Sequence, residues 1–204
     1  MLLSTAYFPP VEYFALLAKS PRAVLESDEN YTKQTWRNRC RILTATGVET
    51  LQVPVIHDAP KTPIREVRIE YATPWVVRSE RAIDSAYWNS AYFEFYRDEL
   101  YAILDSGEEK LFGLNLRLIK FFVNKLHLPV EIALSEQFVP EDSVPDDWRF
   151  RLHPKKPNSI LAESGLLKPY YQVFSDKYGF VPGLSIMDLL FNEGPDSILW
   201  LKQM

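Results

Sequence analysis

Apolar residues open the chain in short runs broken by prolines and charges, a pattern of buried strands around one helix. Residues 2–8 read as a short buried strand that Pro9-Pro10 ends, since neither proline can donate to a ladder and each restricts the residue before it. Residues 11–19 predict a helix with Phe14, Leu17 and Ala18 on one stripe and Pro10 near its start. Residues 23–26 suit a second buried strand. Such a β-α-β opening makes the two strands parallel and sets the Pro-Pro turn at the carboxyl end of the first, where ligands of open α/β sheets bind. Tyr7 and Tyr13 flank that corner.

Strict alternation follows. Residues 39–44, a turn at Thr46-Gly47 and residues 48–56 predict a hairpin with Leu51, Val53 and Val55 on one face and His57 at the strand's end. Val67, Ile69 and Tyr71 alternate with Arg68 and Glu70, a half-exposed strand able to join the hairpin's sheet. From Pro74 the period lengthens to that of helices, predicted over 75–88, 91–104 and 110–126. In the last, Leu111, Leu114, Leu118, Phe121, Phe122 and Lys125 form a structural stripe. Residues 130–134 return to a buried strand, and 140–158, rich in proline and charge, read as a long irregular loop. Residues 171–174 look strand-like, 179–183 a turn, and 185–192 a helix with Ser185 as N-cap, Asp188 at the capping-box position and Asn192 and Gly194 closing it.

The expected class is α/β, with α+β as the variant: a mixed sheet opening with a β-α-β unit and hairpin, covered by about three helices. With 204 residues and no linker, one domain over 1–204 is expected. A net charge of -4 and pI near 5.5 argue against a nucleic-acid partner, so cationic clusters are read as local anion sites. One cysteine, Cys40, excludes an internal disulfide and a thiolate metal cluster and fits a reducing compartment. The start MLLSTAYFPP reads as neither signal peptide nor anchor, and no run of about 18 apolar residues predicts a membrane span. A cytoplasmic location follows as the expectation. With 7 glycines there is neither GxGxxG nor GxxxxGK, and no cofactor is indicated.

One stretch stands out, YTKQTWRNRCRI at 31–42, with four cations and no acid. If its second half is a strand, Arg37, Arg39 and Arg41 share one face while Trp36, Asn38, Cys40 and Ile42 share the other. Guanidinium forks suit phosphate or carboxylate, and the Asn38 amide suits a sugar hydroxyl, so Arg37, Asn38 and Arg39 lead the ligand-binding candidates, with Lys33 and Gln34 behind them. The competing reading is a solvated face paired with Glu26, Asp28 or Glu29. Tyr7, Pro9 and Tyr13 would supply a pocket wall, and Tyr171, Gln172 and Ser185 its far side. His57 and Asp188 are the candidates for proton transfer, although a lone histidine is more often a hydrogen-bonded surface or core residue, and the cap explains Asp188 and Ser185 structurally. His57, His127 and His153 lie too far apart for metal-ligand spacing.

The chain resembles the WbqC-like family. The matching pieces are AYFPPVEYF at 6–14, KQTWRNRCRI at 33–42, LQVPV at 51–55, Ala86-Tyr87 with Ala91-Tyr92-Phe93, Leu118-Ile119 before Lys125-Leu126, Tyr171-Gln172, and LSIMDLLFN at 184–192, all collinear. Members occur in bacterial gene clusters for surface polysaccharides such as O-antigen. The resemblance therefore implies a cytoplasmic enzyme acting on an anionic or sugar-nucleotide small molecule, with group transfer the natural class. Two departures stand out: Thr5-Ala6 replaces the family's His-Gln pair, and the loop 140–158 replaces a segment bearing Gly and Tyr. A non-catalytic interaction or scaffold protein, docking through the aromatic helices, is the alternative. An arginine face against acidic lipid headgroups is a third reading, and association with further copies of the chain stays open.

Overall fold

A computed structural model describes residues 1–56, 59, 61–141, 143–155 and 169–203. Among these the order is β1 (Leu2–Ser4), α1 (Val11–Ala18), β2 (Arg22–Glu26), a 3-10 turn (Trp36–Asn38), β3 (Arg39–Thr44), β4 (Gly47–Gln52) and β5 (Val55–Ile56). A second 3-10 turn (Ile64–Glu66) leads to β6 (Arg68–Ile69), α2 (Trp75–Tyr87), α3 (Phe93–Leu104), α4 (Leu111–Lys125) and β7 (Glu131–Leu134). The chain closes with α5 (Ser175–Tyr178), α6 (Ile186–Glu193), a 3-10 turn (Gly194–Asp196) and α7 (Ser197–Gln203).

The class is α/β, as expected. β1 and β2 pair in parallel, Leu2 with Val24 and Ser4 with Glu26, and β7 adds in parallel on the other side of β2. β1 is shorter than the apolar run implied, ending at Ser4 instead of Phe8. Beyond it the backbone turns away: the Tyr7 amide bonds the Trp36 carbonyl at 2.9 Å, and Phe8 takes a left-handed φ of 43° just before the prolines.

β3 and β4 form the expected hairpin, Arg39 opposite Gln52 and Cys40 opposite Leu51. The second strand breaks at Pro54, which has no N–H for a ladder. Two bonds secure the break, the Val53 amide to the Asn38 carbonyl and Asn38 Nδ2 to the Val53 carbonyl, both 2.9 Å. β6 accordingly pairs with β5 in a separate ribbon and does not extend the hairpin. Residues 171–174 form no strand; they lead by turns into α5.

The three central helices fall where the period placed them, and the stripe of α4 is buried except at Lys125, which reaches Glu99 at 2.6 Å. Phe122 anchors the centre of the core: the rings of Phe8 and Phe14 meet it edge-on, 6.2 and 5.8 Å away. Burying each such ring contributes roughly 1.5–3 kcal/mol, so this cluster fixes α1 against α4.

The charged loop is more ordered than its composition implied. Its residues 146–148 run along the outer edge of β1, the Leu2 amide bonding the Asp146 carbonyl and the Trp148 amide bonding the Leu2 carbonyl, each at 2.9 Å. That segment continues the sheet by one short parallel bridge, Leu2 to Asp147. Residues 156–158 of the predicted loop lie outside the described residues.

Candidate functional site

Three separated segments are tied together beyond the carboxyl end of β1. The Ile186 amide bonds the Pro9 carbonyl at 2.9 Å, the Val11 amide the Leu184 carbonyl at 3.0 Å, and the Ser185 amide the Arg41 carbonyl at 2.8 Å. The prolines cannot donate, yet the Pro9 carbonyl receives α6, so the Pro-Pro turn becomes a seat for the start of that helix.

Beneath this corner lies a buried ion network. Arg37 presents Nε and Nη2 to the two oxygens of Glu29 at 2.9 and 2.6 Å and gives Nη2 also to Ser4 Oγ at 2.7 Å. Arg149, from the loop, grips Asp147 through Nη2 at 2.5 Å and reaches Glu26 through Nη1 at 3.3 Å. Glu26 also accepts from Ser135 Oγ and the amides of Asp28 and Val139. Two guanidiniums thus face three carboxylates, and the network has no positive charge to spare for a ligand. Between its arms Ser4, Tyr13, Trp36, Trp148 and Leu152 line a cavity of about 20 Å³. That is room for water but not for a sugar or nucleotide, so a ligand of that size would sit at the mouth.

The alternation that put Arg37 beside Arg39 and Arg41 fails at the 3-10 turn. Thr35 caps the turn, its Oγ1 accepting from the Arg37 amide at 3.4 Å, and Arg37 swings inward to Glu29. Arg39 and Arg41 keep the common face, both half-buried. Arg39 donates to Gln52 Oε1 and Arg41 to the Pro154 carbonyl, each at 3.3 Å, and the Arg41 guanidinium lies 5.7 Å from the Trp36 ring centre. Among the described residues neither forms an ion pair. Arg41 is, however, close enough to Glu12 to act on it. Glu12 is 2% exposed, and burial pushes its carboxyl up to about 7, opposed by its own backbone N–H, Arg41 and the Gly183 backbone.

Asp188 is likewise buried. Its Oδ2 accepts from the Tyr170 hydroxyl and Gln172 Nε2, both at 2.8 Å, and burial still pushes the acid up to about 6. Gln172 is held in turn by the Val181 amide on Oε1 at 2.8 Å. Asp188 therefore does not complete a capping box: Ser185 caps α6 through Met187, while the Ser185 amide that the box would use is taken by Arg41. Tyr170 feels both acids, Asp188 more strongly and Glu12 as well.

The other expected site residues scatter. Tyr13 donates its hydroxyl to the Ser4 carbonyl at 3.0 Å, Tyr7 is fully buried, and Asn38 is engaged by Val53. Lys33 and Gln34 are exposed, Gln34 at a left-handed φ of 60°. Tyr171 is exposed, with its amide on Glu193. His57 lies outside the described residues. Among the described residues no three His, Cys, Asp or Glu side chains gather to hold a metal ion, and no helix is long and apolar enough to cross a membrane. Glu12, Tyr170 and Arg149 were not foreseen. Glu12 did leave a signal, being the one charge in the otherwise apolar VEYFALLA of α1.

Residues 5–155 match the model of the WbqC-like protein family. The chain belongs to that family. The match takes in Glu12, Arg37, Arg39, Arg41 and Arg149 of this WbqC-like chain, while Tyr170, Gln172 and Asp188 lie past its end. The chain is also similar to the uncharacterized protein Rv1507c of Mycobacterium tuberculosis (strain ATCC 25618 / H37Rv), 30% identical over 239 residues that cover 99% of this chain and 98% of that protein. No solved structure matches it.

Proposed function

We propose that this WbqC-like chain is a cytoplasmic group-transfer enzyme of bacterial surface-polysaccharide synthesis, acting on an anionic, nucleotide-activated or otherwise phosphorylated small molecule. The observation that carries the reading is the pair Arg39 and Arg41, half-exposed on one strand face and in no ion pair among the described residues, with Arg41 lying against Trp36, which lines the crevice beyond β1. Guanidinium forks there would take phosphate oxygens. Glu12, beside Arg41, is the proton-transfer group: held near neutrality, it can accept the proton of an attacking hydroxyl as that oxygen bonds the transferred group and the phosphate leaves with the bonding electrons. Asp188, buried and hydrogen-bonded by Tyr170 and Gln172, is the second candidate for that role.

The test is a thermal-shift screen of nucleotide sugars at low salt, because a ligand that binds only the native state raises the melting point. Arg39→Ala with Arg41→Ala should abolish the shift. Glu12→Gln should keep the shift and lose turnover. An undiminished shift in the arginine variant refutes the anion site. The scaffold reading draws on a different surface, where Trp88 and Phe95 are 59% and 75% exposed. Phe93, two residues before Phe95, is buried in the core. A binding partner lost in Trp88→Ala and Phe95→Ala, with no ligand found in the screen, would favour that reading.

A further inference from the structure

The hairpin carries a second recess along β4. Between the edge of β4 and the start of α2 lies an open cleft of about 320 Å³, within the range of small-ligand sites. Leu51 and Trp75 supply apolar surface, and Thr50, Gln52 and Ser79 supply hydroxyl and amide groups that both donate and accept. Glu49 and Arg78 put one charge of each sign at its rim, so no net charge selects the occupant. The cleft wraps the edge of β4: Leu51, paired with Cys40, faces away from the arginines, while Gln52 and Thr50 are paired with Arg39 and Arg41 on theirs.

A second observation points to a ligand. Trp75 is 4% exposed, yet its buried indole N–H finds no hydrogen-bond partner among the described residues. Tyr7 packs behind it, ring centres 6.3 Å apart, with its buried hydroxyl toward Ser79. An unmatched buried donor beside a cleft is costly, and such a group calls for an explanation.

We infer that this cleft is a binding site for an uncharged sugar, one ring laying its C–H face on Leu51 and Trp75 and its hydroxyls on Gln52, Ser79 and the indole N–H. The inference does not depend on the proposed activity at the arginine face. An amphipathic ring with paired donors and acceptors fits the cleft better than an anion, which would meet Glu49, or a purely apolar group, which would leave the rim unpaired.

The experiment is nuclear magnetic resonance of the ¹⁵N-labelled full chain, following the indole N–H signals while N-acetylglucosamine or galactose is added to millimolar concentration. Trp75→Phe assigns the Trp75 signal by its loss. The expected result is a saturable downfield movement of that signal, with affinity falling about tenfold in Ser79→Ala or Gln52→Ala. Arg41→Ala, which removes a guanidinium held by the Pro154 carbonyl and the Trp36 ring, should leave the titration unchanged, which keeps failure here distinct from failure of the anion site. If Trp75→Phe does not fold, the signal is assigned through the aromatic contact to Tyr71, 5.8 Å between ring centres. A Trp75 signal that stays still with both sugars, or moves equally with glycerol, overturns the inference.

Discussion

Replacing Glu12 by Gln should stabilise the protein above neutrality and change little in acid. The carboxyl is pushed from an ordinary 4.5 up to about 7 by burial. Between those values the native state holds a proton that the unfolded chain has released, so stability falls as pH rises through the interval and stays low above it. The interval, at about 1.4 kcal/mol for each tenfold change in proton affinity, corresponds to about 3 kcal/mol. Glutamine keeps the shape and cannot ionise. Its advantage should therefore be under about 1 kcal/mol at pH 5 and near about 3 kcal/mol at pH 8.5. Asp188, pushed up to about 6, adds a slope of the same sign, but it does so in both proteins and cancels in the difference. Urea denaturation followed by circular dichroism reads the gain as a midpoint shift of about 1 M or more at pH 8.5. A difference of equal size at both pH values would refute the reasoning, since it would show that packing and not ionisation sets the cost.

Arg37→Ala should destabilise by about 3–5 kcal/mol because it strands the buried Glu29 carboxylate, whereas Arg39→Ala should stay within about 1 kcal/mol; urea midpoints compare the two. Arg149→Ala should release the loop from β1, so hydrogen exchange should quicken at the Leu2 and Trp148 amides before it does within β2. The Cys40 thiol, fully buried and raised by that burial, should resist a thiol reagent at pH 8 until urea unfolds the chain, as absorbance of the released chromophore would show. Gly194→Ala should lower the melting temperature, since Gly194 sits at φ 55° and an added Cβ would stand 2.6 Å from the Tyr92 ring; its cost should exceed about 1 kcal/mol.

Periodicity made the helices and the parallel opening legible, because a run such as α4 repeats one burial pattern over four turns. What it could not reveal was where a regular pattern stops. Thr35 looks like any strand residue, yet its hydroxyl caps a 3-10 turn that takes Arg37 out of the alternation and into the core. The acids that receive Arg37 and Arg149 sit in links and loops, where no period announces a partner. Glu12 was legible as an oddity in an apolar helix, but its proximity to Arg41 depends on contacts across the fold. Tyr171 and Gln172 were read together, and the chain separates them, Tyr171 to solvent and Gln172 to Asp188. Adjacent residues at a turn share no rule for direction.

The backbone that covers β1 has a consequence for how the chain is made. Synthesis runs from the amino end, so Leu2 leaves the ribosome well before Asp146 and Trp148, which close its outer edge. For that interval the nascent protein offers a short apolar strand with open hydrogen-bonding groups, the kind of edge that pairs with neighbouring chains. A strand made well before its cover must wait to be sheltered, and the yield in the cell should depend on how quickly translation reaches the loop.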